Sequence, residues 1–134
     1  MSYCDSRCWR TVFKAKGLYN YGASLSMLFL DDWLRAMLHG PPADPAYRTM
    51  FLALCFAFGM GYSTVSRDLT KNHAVIRMGI FGQLAVFAVT TWAVFLARFP
   101  LPLIYLLPAV IDLVFAIAFL VFLWKYPKTI WTQW

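Results

Sequence analysis

One acidic residue in the middle of an apolar run is the first candidate for chemistry. Asp112 lies in the stretch PAVIDLVFAIAFLVFL, residues 108–123. An ionised Asp at the centre of a bilayer costs about 2.5–3.5 kcal/mol, so such a carboxyl is protonated, paired or placed beside a wet cavity. Two interpretations are open: a functional site, or a structural hydrogen bond to a neighbouring helix.

Other polar side chains could share a site with Asp112, four of them predicted at a similar depth and one on the same helical face. They are Gln83 on the third apolar run, Asn20, Tyr21 and Ser24 on the first, and Tyr105 on the helical face of Asp112 itself. An interior lined by an acid, amides and aromatic rings could hold a small amphipathic molecule such as a quinone head group. It could equally be the hydrogen-bonded centre of a helix bundle.

A further group of charges is predicted near the outer end of the first apolar run. Arg35 follows Asp31 by four residues and Asp32 by three, so one helical turn brings the charges together. Trp33 lies beside them, as expected near a membrane interface. We interpret Asp31, Asp32 and Arg35 as a local ion pair rather than an ion-binding site.

The sequence predicts neither a metal site nor catalysis. His39 and His73 fall on opposite predicted sides of the membrane, so they cannot bind one haem together. Cys4 and Cys8 share a helical face, but two thiols without nearby His or further Cys make a poor zinc site. Since no nucleophile–base set, phosphate loop or HExxH pattern occurs, we expect no enzymatic activity and no required cofactor.

The composition is typical of a helical membrane protein. Of 134 residues, 61% are hydrophobic and 13% are charged, whereas soluble domains carry about 25% charged residues. Four apolar runs, each near the ~20 residues of a spanning helix, cover 17–38, 48–65, 74–97 and 101–124. Because the breaks between them are short, we predict an all-α fold in which four transmembrane helices form an antiparallel bundle, residues 17–124.

Lys and Arg are distributed unequally between the two predicted sides of the membrane. Most of them, Lys16 included, fall on the side of both chain ends, and only Arg35, Arg48 and Arg98 fall on the other. Cytoplasmic loops are enriched in Lys and Arg, so both termini are predicted to be cytoplasmic. The charges sort by side instead of forming one patch, which argues against nucleic acid as a partner.

The two ends of the chain are predicted to lie outside the bundle. Residues 1–16 form a basic interfacial segment, with Trp9 and Phe13 on one helical face. This segment either lies on anionic lipid or only orients the first helix; both interpretations are open. Residues 125–134 are predicted to be a cytoplasmic tail.

Small residues indicate where helices could approach each other closely. Ala53, Ala57 and Gly61 recur every four residues on the second run, and Gly79 and Gly82 lie near the start of the third. Helices associate in lipid through such small-residue faces, because burying Leu against Leu gains little over lipid tails. The sequence leaves open whether these faces meet each other or another protein.

Three stretches together resemble a group of small four-helix membrane proteins, and that group resembles the broader DoxX-like set. They are FGMGYSTVSRDLTKNHAVIRMGIFGQ at 58–83, GLYNYGASLSML at 17–28 and IDLVFAIAFLVFL at 111–123. The resemblance implies the same four-helix architecture with Asp112 in the last helix. Some members of the DoxX-like set are linked to quinone-coupled membrane oxidoreductases. This sequence has Gln83 where that group has Lys, and the resemblance implies no activity.

Three functions are compatible with these features. The first is a non-catalytic accessory subunit that packs laterally, with lipids and other integral membrane subunits as partners. The second is a binder of quinone or another lipid-like molecule at the Asp112 face. The third is a small proton-coupled transporter, although helix one offers only Asp31 and Asp32, near its outer end. We expect the protein in the cytoplasmic membrane of a bacterium.

Overall fold

The structure, a computed structural model, describes residues 3–39, 44–97 and 101–127, and only the backbone of residues 3–5 and 38. The helices are α1, Tyr3–Leu38; α2, Pro45–Arg67; α3, His73–Phe95; and α4, Leu106–Lys125, which follows a 3₁₀ turn, Leu103–Tyr105. No strand occurs within the described ranges, and the predicted all-α class is confirmed. Most of the predicted tail 125–134, Arg98 and the side chain of Cys4 lie outside the described residues.

The start of α2 follows from a helix cap that its sequence provides. The carboxylate of Asp44 accepts hydrogen bonds from the backbone N–H groups of Ala46 (2.8 Å) and Tyr47 (3.3 Å). Pro45 occupies the first helical position, where no N–H is needed. The helix therefore begins three residues before the predicted position, because the cap and not the apolar run decides where it starts.

The turn between α2 and α3 is closed by Asp68. Its carboxylate accepts bonds from the hydroxyl (2.7 Å) and the N–H (2.9 Å) of Thr70. Asn72 Nδ2 donates to the Asp68 carbonyl over 3.0 Å. The bonds from the Thr70 hydroxyl and N–H lower the pKa of Asp68 from 3.8 to about 2. This short turn makes α2 and α3 antiparallel neighbours.

Within the described parts of the chain, three helical stretches are long and apolar enough to cross a membrane: α2, α3 and residues 103–125. Each has 23 residues, about 35 Å at a rise of 1.5 Å per residue, against a hydrocarbon core about 30 Å thick. Large apolar side chains such as Phe81 and Leu107 are exposed on them, as suits a surface surrounded by lipid. The first predicted span, 17–38, belongs to α1, which is not among the three.

The helices form two antiparallel hairpins, α1/α2 and α3/α4, whereas α2 and α3 contact each other over a shorter length. In the first hairpin Gly17 lies against Gly59, and Asp31 pairs with Arg48 farther along. A Cβ atom at Gly17 would lie 3.2 Å from the carbonyl oxygen of Gly59. The missing side chain therefore lets the two backbones approach closely.

An aromatic cluster, Phe13, Tyr62, Phe119 and Phe122, joins the two hairpins. All four side chains are fully buried. Phe13 of α1 stacks on Phe119 of α4 with ring centroids 4.5 Å apart, and its centroid is 5.3 Å from that of Phe122. Tyr62 of α2 lies 5.2 Å from Phe119. These contacts bring residues from both hairpins into one core.

The predicted boundary after residue 16 falls inside a continuous helix. α1 continues without a break from Tyr3 to Leu38. The predicted interfacial residues pack on α4 instead: Phe13 is buried in the aromatic cluster, and Trp9 makes an edge contact with Phe122. Arg10 and Lys14 are exposed. The segment is amphipathic as its sequence suggests, but its apolar face contacts protein.

The small residues singled out in the sequence have different surroundings. Ala53 and Ala57 are exposed. A Cβ atom at Gly61 would lie 3.0 Å from Val75, and one at Gly79 would lie 2.8 Å from the Tyr62 ring. At Gly82 a Cβ atom would make an ordinary contact, 3.6 Å from Phe58. Gly61 and Gly79 thus allow α2 and α3 to approach, and Ala53 and Ala57 do not take part.

Candidate functional site: a central cavity with a buried ion pair

A cavity of about 380 Å³ lies among the four helices. Its polar lining includes Lys16, Asn20, Gln83, Tyr105 and Asp112. Apolar side chains such as Met27, Phe51 and Val86 make up most of the remaining wall. The structure therefore brings the predicted residues Asp112, Gln83, Asn20 and Tyr105 together at one apolar cavity, whereas Tyr21 and Ser24 do not line it.

Asp112 is paired with Lys16. Lys16 Nζ donates to Asp112 Oδ1, and the exposed fractions of the two side chains are 2% and 15%. A buried carboxylate needs a partner, because taking a single charge out of water costs several kcal/mol. The expected partners Gln83, Asn20, Tyr21 and Ser24 do not supply it. Sequence reasoning missed Lys16 because it assigned that residue to the cytoplasmic flank.

Aromatic rings surround the ammonium group of Lys16. Its Nζ lies 4.5 Å from the ring centroid of Tyr19 and 5.4 Å from that of Phe115. Such cation–π contacts add about 0.5–2 kcal/mol, more when the cation is desolvated. Pairing with Asp112 and contact with these rings together stabilise a lysine that is almost completely buried.

The two amide side chains of the cavity each use only their nitrogen. Asn20 Nδ2 donates to the carbonyl oxygen of Cys55 over 3.1 Å, and Gln83 Nε2 bonds the hydroxyl of Tyr62 over 3.0 Å. Both side chains are 4% exposed. Asn20 Oδ1 and Gln83 Oε1 are buried, and no described residue donates a hydrogen bond to either oxygen. Asn20 therefore has a buried acceptor without a donor, and the amide of Gln83 has one buried polar atom without a partner among the described residues.

The two tyrosine candidates differ in position. Tyr105 lines the cavity, next to the start of α4. Tyr21 does not line it; its hydroxyl lies 3.1 Å from Ser63 Oγ on α2, and its ring contacts Phe56 at a centroid distance of 4.9 Å. Tyr21 therefore belongs to the contact between α1 and α2.

The outer charges form a cluster at the far end of the first hairpin. Asp31 accepts hydrogen bonds from Arg35 and from Arg48 of α2, and its side chain is 7% exposed. Asp32, whose side chain is 98% exposed, lies 3.4 Å from Arg35. The sequence did not predict Arg48 as a partner of Asp31. Helical spacing shows which residues of one helix are neighbours, but it does not show which residues of a second helix lie beside them. The cluster ties α1 to α2 outside the cavity.

Among the residues whose side chains the structure describes, cysteines and histidines do not form a cluster. Cys8 and Cys55 are free thiols, and Cys55 lines the cavity. No group of three or more His, Cys, Asp or Glu side chains among the described residues is placed to hold a metal ion. The groups that line the cavity offer hydrogen bonds, one ion pair, one thiol and apolar contact.

No protein-family model, curated protein or solved structure matches this chain. The resemblance to the DoxX-like set stays a prediction.

Proposed function

We propose that this protein is an integral membrane protein of four spans that binds a small lipid-soluble molecule in its central cavity. The observation that carries the proposal is the cavity itself, which has apolar walls and a few polar groups, among them the Lys16–Asp112 pair. Small-molecule sites commonly combine a mostly apolar concave wall with a few polar groups that orient the ligand, in volumes of about 300–1,000 Å³.

The contacts between α1 and α2 support α1 as the fourth span. Along the first hairpin Gly17 lies against Gly59, Asn20 bonds Cys55, and Asp31 pairs with Arg48. Residues 17–31 of α1 thus lie beside residues 48–59, which belong to a helix apolar enough to span. If α2 crosses a membrane, α1 crosses it alongside, with its buried charges paired inside the bundle. In this proposal both chain ends face the cytoplasm of a bacterial cell.

Filling the cavity tests the proposal. Ala23 lines the cavity, so Ala23→Phe places a ring inside it. Ala57 is exposed on α2, so Ala57→Phe adds the same ring outside the cavity and serves as the matched control. The probe is tritiated para-hexylphenol, measured by scintillation proximity on purified protein in detergent micelles. We expect saturable binding by the parent and by Ala57→Phe, and binding at least about tenfold weaker by Ala23→Phe.

The comparison of the two variants decides the outcome. Both variants must retain the helical circular dichroism and the elution volume of the parent. If both variants kept the binding of the parent, the probe would bind outside the cavity. If both lost it equally, the loss would not depend on filling the cavity. Either result would contradict the proposal.

A second candidate function, an accessory subunit of a membrane complex, is supported by the exposed face of α2. Ala53 and Ala57 are exposed there, while the close approach of α1 uses Gly59 on a different face. Small residues on a lipid-facing surface are suited to contact with another helix. In this function Ala57→Phe, and not Ala23→Phe, should separate the protein from co-purifying membrane subunits. Recovery of the parent as a lone monomer from gently solubilised membranes would rule this function out.

A further inference from the structure

We infer that the molecule bound in the cavity is neutral and carries a hydroxyl group, which donates a hydrogen bond to Oδ1 of Asn20. This inference rests on the proposed function, since it specifies the ligand of the same cavity. It assigns to Asn20 the role of selecting for a hydrogen-bond donor.

The orientation of the Asn20 amide is fixed by its neighbour on α2. The carbonyl oxygen of Cys55 can only accept a hydrogen bond, so the group 3.1 Å from it must be the Asn20 nitrogen. Turning the amide over would place two acceptor oxygens against each other. The oxygen Oδ1 is therefore the atom left without a partner.

Burial makes an unpaired oxygen at this position costly. Asn20 is 4% exposed, and no described residue donates to its Oδ1. A buried polar atom without a hydrogen bond destabilises a protein, and most such atoms in native structures have a partner. Asn20 lines the cavity. A ligand hydroxyl in the cavity would supply the missing donor.

Gln83 does not give the same information. Its partner, the hydroxyl of Tyr62, can either donate or accept. If Tyr62 accepts from the amide nitrogen, the amide oxygen of Gln83 is left as an acceptor without a donor. If Tyr62 donates to the amide oxygen, the amide nitrogen is left as a donor without an acceptor. The inference is therefore built on Asn20 alone.

The charges at the cavity favour a neutral ligand. Lys16 and Asp112 cancel each other across their bond. A cationic ligand would compete with Lys16 for the carboxylate, and an anionic one would compete with Asp112 for the ammonium group; either exchange would leave a buried charge unpaired. A quinone head group, which has only acceptors, would leave Asn20 Oδ1 without a donor. A phenol or a lipid alcohol meets both requirements.

Three probes of similar shape separate these chemistries. Para-hexylphenol has a hydroxyl donor, para-hexylanisole has an ether acceptor and no donor, and para-hexyltoluene has neither. Each is used in tritiated form with the parent protein in detergent micelles, and its dissociation constant is expressed as a mole fraction of the micelle. We expect the phenol to bind roughly three- to tenfold more tightly than the other two, as the net effect of one hydrogen bond.

Substitution of Asn20 tests whether that preference comes from its oxygen. Asn20→Leu should bind all three probes with similar affinity. Ser24, also on α1 and buried but not part of the cavity lining, provides the control Ser24→Ala, which should keep the preference of the parent. Should Asn20→Leu fail to fold, the three dissociation constants of the parent still decide the question.

The outcomes distinguish this inference from the proposed function. If the probes bind in a manner sensitive to Ala23→Phe but the parent does not prefer the phenol, the cavity binds a ligand and the inference about its hydroxyl is wrong. A preference that persists in Asn20→Leu would also overturn the inference. If no probe shows binding sensitive to Ala23→Phe, the proposed function itself fails.

Discussion

Lys16 and Asp112 show how α1 and α4 can each contain a charge within the bundle. Neither charge would be tolerated alone at such burial, because the desolvation cost of an ion exceeds what neighbouring dipoles return. Together they form one neutral unit, with the Lys16 ammonium group also facing the rings of Tyr19 and Phe115. The ion pair therefore connects the two hairpins and also forms a polar part of the cavity wall.

We predict that breaking this ion pair costs more than removing it. Lys16→Met leaves the largely buried carboxylate of Asp112 unpaired, and Asp112→Leu leaves the buried ammonium group of Lys16 unpaired. Each should lower the free energy of unfolding by about 3–5 kcal/mol. The double variant, with two apolar side chains, should recover most of the loss. Thermal unfolding of the purified proteins, followed by circular dichroism in one detergent, measures all three.

The double variant is the informative comparison. If the double variant lost as much stability as the two single variants together, Lys16 and Asp112 would contribute independently, and this result would contradict the ion pair in the structure. The pair of Arg35 with Asp32, whose side chain is 98% exposed, provides a control. Substituting Asp32→Asn should change stability by no more than about 1 kcal/mol.

At the scale of single residues, sequence identified the acid and missed the base. Asp112 is conspicuous because it interrupts an apolar run, whereas Lys16 follows Arg7, Arg10 and Lys14 and shares their chemistry. Only the packing of α1 against α4 shows that Lys16 faces inward while Lys14 is exposed. Asn20 was recognised as a polar candidate, but its free oxygen depends on the position of a backbone carbonyl on another helix.

At the scale of the helices, the first hairpin depends on one close approach. A Cβ atom at Gly17 would lie 2.9 Å from Ser63 Oγ and 3.2 Å from the Gly59 carbonyl oxygen. The serine hydroxyl could turn away, but the carbonyl belongs to the backbone of α2 and cannot move alone. The spacing of Ala53, Ala57 and Gly61 predicted close helix contacts on a different face of α2 from the one that α1 approaches at Gly59. The periodicity of small residues shows where a close contact is possible, but it does not show which of them a neighbouring helix contacts.

We predict that Gly17→Ala weakens this hairpin. The added methyl group should force α1 away from α2 and lower the free energy of unfolding by about 1–3 kcal/mol. Gly22→Ala is the matched control, because a Cβ atom there meets nothing within 4 Å. That change should leave stability equal or raise it by up to about 1 kcal/mol, since Ala is the better helix former. Midpoints of thermal unfolding in the same detergent compare the two.

The two outcomes bear on the structure in opposite ways. A stable Gly17→Ala variant would contradict the close approach of α1 to α2 at Gly59. If Gly22→Ala lost as much stability as Gly17→Ala, the loss would come from replacing any glycine of α1 and not from the contact between Gly17 and Gly59.

Helix positions could be predicted better than helix ends. The apolar runs locate α2, α3 and α4 because lipid requires about 20 apolar residues in succession. Their ends depend on local bonds instead, such as the cap at Asp44 and the turn held by Asp68. The beginning of α1 could not be predicted from hydropathy, because the charged residues before Lys16 do not interrupt a helix whose other face packs on α4.

At the scale of the whole molecule, the aromatic cluster joins the two hairpins. Phe13, Tyr62 and Phe119 lie toward the end that carries the turn between α2 and α3. The cavity begins next to them, at Lys16 and Asp112, and its lining extends to Met27 of α1 and Phe51 of α2. The buried aromatic core at one end is thus followed by an open space between the hairpins, so the cavity depends on the arrangement of all four helices and not on one helix.

The last prediction concerns α1 as a membrane span. If α1 crosses, Cys8 and the turn between α2 and α3 lie on one side, and the start of α2 lies on the other. The test uses three proteins with one thiol each, in all of which Cys4 and Cys55 are replaced by Ser. The first keeps the native Cys8; in the other two Cys8 is also replaced, and the thiol is introduced by Lys71→Cys or by Ala46→Cys. All three positions are exposed. A membrane-impermeant maleimide applied to inside-out vesicles should label Cys8 and Lys71→Cys but not Ala46→Cys, and right-side-out vesicles should reverse the pattern. Labelling of Cys8 and Ala46→Cys from the same side would show that α1 does not cross, and the four-span bundle would be wrong.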